Sequence, residues 1–178
     1  MKQTPASGVN GGATRRDFLK TAAAATAASS AAFIARNAHA AGSDVIRVGM
    51  IGCGPRCTGA AAEALTADPG ARVVAMTDMI PGRIQAKREL LTRQFKDRIA
   101  VNDDHCFTGF DGYKHVIEAS DVVLIANAAK FHPFHAMAAL QAGKHVFVEK
   151  PHGIDPAGIR LLRQAAEVAK EKKLCLVS

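Results

Sequence analysis

Apolar residues cluster in short runs separated by polar, glycine and proline punctuation. Val45–Ile51 (V-I-R-V-G-M-I) is β-branched or apolar with one break at Arg47. Similar runs stand at 72–77, 121–126, 144–148 and 174–177. Each is short enough for a strand buried on both faces, the pattern of a parallel sheet. Between them lie segments of helical period. Ala60, Ala61, Ala62 and Ala64 give a thin helix after the first run. Ile84, Leu90, Leu91 and Phe95 form a second stripe, and Tyr113, Val116 and Ile117 a shorter one, with Asp111 as its expected cap. The loop 127–133 leads to a helix over 134–142 closed by Gly143, and Pro156 opens a long helix with Ile159, Leu162, Ala166 and Ala169 on its inner side. Residues 97–110 read as irregular, with a short apolar piece at Cys106-Phe107. Alternating strands and helices predict an α/β fold, a doubly wound parallel sheet.

The first strand, its turn and the second strand carry chemistry. Gly52-Cys53-Gly54 follows β-branched residues and precedes a helix, and Asp78 ends the next strand. This is the order of a Rossmann-type dinucleotide-binding unit. Gly52 permits a tight turn, and Gly54 lets a diphosphate approach the backbone. Pro55 suits the first helical position, and the helix start with Arg56 offers N–H groups to the phosphate. Asp78 can accept the ribose hydroxyls of NAD. Cys57 stands where the third glycine of the G-x-G-x-x-G pattern belongs. The Asp78 carboxylate would repel a 2′-phosphate, whereas Arg83 could reach one, so NAD is the expected cofactor and NADP stays open.

The chain has 178 residues and a formal net charge of +7. Five of the basic residues and a single acid fall within residues 1–40, so the rest is too mildly basic for a nucleic-acid binder. Residues 1–40 read as a removable leader. Thr14-Arg15-Arg16-Asp17-Phe18-Leu19-Lys20 resembles the bacterial twin-arginine export signal, an Ala/Ser/Thr-rich stretch follows, and Ala38-His39-Ala40 has the form of a signal-peptidase site. The expectation is export to the periplasm, a mature domain over 41–178, and no membrane association after cleavage. The apolar stretch is too short and weak to span a bilayer.

His132 and His135 are three apart, and Asp103-Asp104-His105-Cys106 is rich in potential ligands. Neither has a matching second cluster, so no metal is expected. The four cysteines are expected as free, mostly buried thiols, with Cys175 on a buried strand.

The segments V-G-M-I-G-C-G and D-V-V-L-I-A-N-A-A-K-F-H-P-F-H-A-M-A-A-L-Q-A-G-K-H-V-F-V-E-K-P resemble the Gfo/Idh/MocA oxidoreductases, among them glucose–fructose oxidoreductase and inositol dehydrogenase. The likeness runs from residue 45 to 178. It implies an NAD(P)-dependent oxidoreductase acting on a sugar or polyol. It implies Lys150, the lysine of E-K-P, as the acid–base group beside the nicotinamide, and Glu149 near the nicotinamide ribose. It implies that Asn127, Ala128 and His132 belong to the loop lining the cofactor, although Asn127-Ala128-Ala129 lacks the proline common there. Family members carry a second domain that completes the substrate site and forms the oligomer interface. The expectation is therefore a homo-oligomer through that domain, and little activity from these residues alone. Some relatives cleave glycosides by transient oxidation, elimination and re-reduction, which leaves an NAD-dependent glycosidase as an alternative. A non-catalytic dinucleotide-binding module is the third.

Overall fold

The computed structural model describes residues 45–178, so the leader expected over residues 1–40 lies outside the described residues. Six parallel strands form one sheet: β1 (Ile46–Ile51), β2 (Ala71–Asp78), β3 (Cys106–Thr108), β4 (Val122–Ile125), β5 (His145–Val148) and β6 (Leu176–Val177). Their order is β3-β2-β1-β4-β5-β6. Helices α1 (Pro55–Ala67), α2 (Pro81–Phe95), α3 (Gly112–Ala119), α4 (His132–Gln141) and α5 (Pro156–Lys172) connect them. This is the doubly wound arrangement that the apolar pattern predicts.

Side-chain alternation along the strands builds two cores. Val48 and Met50 of β1, Met76 of β2 and Leu124 of β4 pack under α1 and α2 with Leu65, Ile84 and Leu91. Ile51, Val123, Ile125 and Val146 face the other way, against Val116 of α3, Leu140 of α4 and Ala165 of α5. Register then aligns the strand ends. Ile51 pairs with Thr77 and with Ile125, and Ile125 with Val148. The segments that follow, at Gly52, Asp78, Ala126 and Glu149, therefore leave the sheet along one edge, where ligands of such folds gather.

Some expectations change. Cys106–Thr108 is a true edge strand beside β2, in a stretch that reads as irregular. Asp111 precedes α3 but does not cap it, because its carboxylate pairs with Lys114 at 2.7 Å. The segment after β4 is tighter than a loop over 127–133. A 3₁₀ turn covers Ala129–Phe131 and α4 begins at His132, so His132 and Pro133 are helical. Leu90 is exposed, because only Ile84 and Leu91, seven residues apart, share the inner line of α2.

Helix α5 keeps part of its expected inner face, since Ala169 is buried and Leu162 packs against the core. Gly158 and Ala165 are also buried, while Ile159 and Ala166 are exposed. The cause is close helix packing against α4: a Cβ on Gly158 would lie 3.3 Å from Pro133 Cγ. Only small residues fit there, so the larger Ile159 turns outward. Asp155 starts this helix by accepting the Gly158 N–H at 2.7 Å, a side-chain N-cap ahead of Pro156.

Candidate functional site

The carboxyl edge of the sheet opens into a cleft of about 420 Å³. Gly52, Gly54, Asp78, Arg83, Asn127 and Ala128 line it. These come from three different strand ends and from α2, as a shared ligand would require.

The turn after β1 has a specific shape. Gly52 sits at φ +95°, and a Cβ there would lie 2.8 Å from Asn127 Cα. Gly54 has an ordinary φ of −78°, and a Cβ there would meet nothing within 4 Å. Its bare face looks into open space. The first bond of α1 runs from Thr58 N–H to Gly54 O at 3.1 Å. The N–H groups of Gly54, Arg56 and Cys57 precede that bond and have no partner within the helix. Bare backbone and unclaimed N–H groups at a positive helix end fit a diphosphate.

Asp78 closes the turn from beside it. One carboxylate oxygen accepts Cys53 N–H at 2.8 Å, and the other accepts Ile80 N–H at 3.0 Å. Each oxygen retains a lone pair for a ribose hydroxyl. The Asn127 Oδ1 is buried without a partner among the described residues. A buried acceptor left open in a cleft wall suits a ligand that donates a hydrogen bond.

The remaining candidates do not line the cleft. The Cys53 side chain is buried behind the turn, where burial, with Asp78 nearby, pushes its thiol up to about 12. Burial also raises the Cys57 thiol, so neither is a nucleophile. All four cysteines are free thiols; only Cys53 and Cys57 are buried, and Cys175 is exposed because it precedes β6, an edge strand that is itself only partly covered. Pro55 and Arg56 stand at the exposed start of α1. Arg56 Nε donates to Glu149 Oε1 at 2.5 Å, and this hydrogen bond holds the Glu149 carboxyl below its usual range. Glu149 thus turns toward the phosphate turn. Lys150 is exposed at the end of β5 and outside the cleft wall. His132 is 2% exposed and contacts two backbone carbonyls, those of Pro151 at 2.9 Å and Asn127 at 3.0 Å.

Sequence patterns miss an aromatic wall. Phe110, Tyr113, Phe131, Phe134 and His135 form one side of the cleft. Tyr113 stacks on His135 with ring centroids 4.4 Å apart, and Phe131 lies 5.8 Å from the same ring. Asn127 Nδ2 donates to His135 Nδ1 at 3.2 Å. Burial, with His132 nearby, lowers the His135 pKa to about 4, so the ring is neutral near pH 7. Their signal is faint: single aromatics at the starts of two helices, brought together only by the fold. The acidic run pairs elsewhere, Asp103 with Arg88 at 2.7 Å, and no metal-binding cluster of three or more side chains occurs among the described residues.

Residues 46–178 match the family described as "Oxidoreductase family, NAD-binding Rossmann fold". The chain belongs to the Gfo/Idh/MocA oxidoreductases. The Bacteroides fragilis protein named glycosyl hydrolase family 109 protein 1 is 35% identical over 136 residues, covering 75% of this chain and 28% of that protein. A Bacteroides thetaiotaomicron protein of the same name is 32% identical over 75% of this chain and 27% of its own length. The chain thus spans under a third of these curated relatives. A 3-ketoreductase from Actinomadura kijaniata, solved with NADP and TDP-benzene, superposes with a TM-score of 0.54 at 29% identity, over 74% of this chain and 36% of that one. A myo-inositol 2-dehydrogenase from Lactobacillus plantarum gives 0.58 at 23% identity, over 75% and 36%, and speaks for the fold alone. Membership of the Gfo/Idh/MocA family makes this an NAD(P)-binding domain, and the turn, the acid and the cleft fit that ligand.

Proposed function

We propose that this domain is the dinucleotide-binding part of an exported enzyme that acts on a sugar or polyol by hydride transfer. The observation that carries the reading is the alignment along one sheet edge of the phosphate turn, Asp78 and the Glu149-Lys150-Pro151 segment. NAD, when bound, supplies a site that accepts or returns a hydride. The chain's own residues do the rest. Gly54 and the free N–H groups of α1 hold the diphosphate. Asp78 takes the ribose hydroxyls and favours NAD, while Arg83 keeps NADP within reach. Lys150 takes the proton from a substrate hydroxyl, or returns it to a carbonyl oxygen. The other wall of the substrate site, and the contacts of a homo-oligomer, belong to a second domain. The leader motif supports export through the twin-arginine route, which carries proteins already folded with their cofactor.

A second reading has its own support. Identity of 35% to a protein named glycosyl hydrolase family 109 favours glycoside cleavage through transient oxidation. In that case the hydride returns to the sugar within each turnover. The test is absorbance at the reduced-nicotinamide band while free sugars and aryl glycosides are supplied in turn. Net NADH with a free sugar supports the oxidoreductase. Aglycone release without NADH supports the glycosidase. Neither product, from the enzyme with its substrate wall in place and NAD bound, overturns both.

A further inference from the structure

The neighbours of Lys150 on both sides are held by side chains from two separate cofactor loops. On one side, the Glu149 carboxylate bridges. Its Oε2 accepts the Lys150 N–H at 3.1 Å, and its Oε1 accepts Arg56 Nε at 2.5 Å. The Glu149 side chain is 9% exposed and that of Arg56 51%, so the carboxylate is sheltered while the guanidinium also meets water. On the other side, His132 Nδ1 lies 2.9 Å from the Pro151 carbonyl and its Nε2 3.0 Å from that of Asn127. Carbonyl oxygens only accept and a neutral imidazole carries one N–H, so the ring donates to one of these carbonyls and packs against the other. The segment 149–151 is therefore held against the start of α1 by Arg56 and against the start of α4, beside the end of β4, by the His132 ring. Lys150 and Pro151 are exposed, while Glu149 is buried.

We propose that Arg56 and His132 are positioning residues that fix the backbone of Lys150 relative to the dinucleotide. Neither acts on a reacting atom. Each removes freedom from the peptide units flanking the lysine, and small displacements of a reacting group are costly in rate. The value of the clamp to turnover rests on the acid–base role proposed for Lys150; the clamp itself does not.

Amide hydrogen exchange at Lys150, followed by NMR on the full chain with NAD bound, tests the clamp directly. Arg56→Gln and His132→Phe should each speed Lys150 exchange by about 10-fold or more, while Met50 and Val123 in the sheet centre stay protected. Arg56→Lys should restore part of the protection, because its ammonium can still reach the carboxylate. Should His132→Phe fail to fold, His132→Gln, which keeps a donor at the Nε2 position and loses the Nδ1 contact to Pro151, serves instead. Lys150 exchange that is unchanged in folded variants, or that rises equally at Met50 and Val123, overturns the proposal. In the enzyme with its substrate wall in place, His132→Phe should cut single turnover roughly 10-fold at saturating NAD and leave NAD affinity nearly unchanged. Loosened exchange with unaltered turnover upholds the clamp and overturns its part in turnover.

Discussion

The carboxylate of Asp78 accepts the backbone N–H of Cys53 at 2.8 Å, joining the end of β2 to the turn that leaves β1. This bond gives the acid two tasks. It shapes the phosphate turn before any ligand arrives, and it offers its remaining lone pairs to a ribose.

Asp78→Ala should therefore lower stability as well as affinity. Loss of charged hydrogen bonds costs about 1.5–3 kcal/mol. NAD binding should weaken by a similar amount, and NADP binding by less, because the repulsion of a 2′-phosphate is also removed. Calorimetry with both nucleotides decides. Equal losses for the two would show that Asp78 shapes the turn without reading the ribose.

His135 gives a pH dependence of known sign. Its folded pKa is near 4, against 6.5 for an ordinary histidine. As pH falls, the unfolded chain takes up this proton first. The residue has no effect on stability above pH 6.5 and costs stability between 6.5 and 4, by up to about 1.4 kcal/mol per pH unit. Urea unfolding at pH 7.5 and pH 5 should show the parent losing about 1–2 kcal/mol more than His135→Gln. Parallel losses in both would place the acid sensitivity elsewhere.

Lys150→Met addresses the chemistry. In the enzyme with its substrate wall in place, NAD affinity should stay within about 1.4 kcal/mol, or tenfold. Turnover should fall by roughly 10²-fold or more, the usual effect of losing a general acid or base. Unchanged turnover would end the acid–base assignment.

Export is checked at the leader. Sequencing the N-terminus of periplasmic product from a twin-arginine-competent bacterium should give Ala41. An Arg15→Lys, Arg16→Lys pair should hold the protein in the cytoplasm. Undiminished export of that pair would dismiss the signal.

The strands and the phosphate turn were legible because local rules write them. Four-residue apolar runs such as Val122–Ile125 have no other good use, and glycine after a strand has a steric reason. β3 was not legible, because a three-residue edge strand leaves no periodicity to count. The face of α5 was misjudged in part, for a tertiary reason: close approach to α4 favours Gly158 and Ala165 over larger side chains. The site divided in the same way. Gly52, Gly54 and Asp78 follow from a motif. The aromatic wall joins α3 to the start of α4, and His132 meets Pro151 at the end of the next strand, contacts that no local pattern announces.

The two glycines of the turn make opposite predictions, which separates folding from binding. At Gly52 the backbone is left-handed and an added Cβ would press on Asn127 Cα at 2.8 Å. Gly52→Ala should lose about 1–3 kcal/mol of stability, as overpacked and strained positions do. At Gly54 the backbone is ordinary and the space beside it empty. Gly54→Ala should lose at most about 1 kcal/mol, the cost of alanine in place of glycine at a helix N-cap, and melt within a few degrees of the parent. Yet its methyl group would occupy the face that a diphosphate must approach, so NAD affinity should fall at least tenfold, ~1.4 kcal/mol. Thermal melts and NAD titrations on the same preparations read both quantities. A Gly54→Ala protein that binds NAD as tightly as the parent would show that the diphosphate does not lie against Gly54.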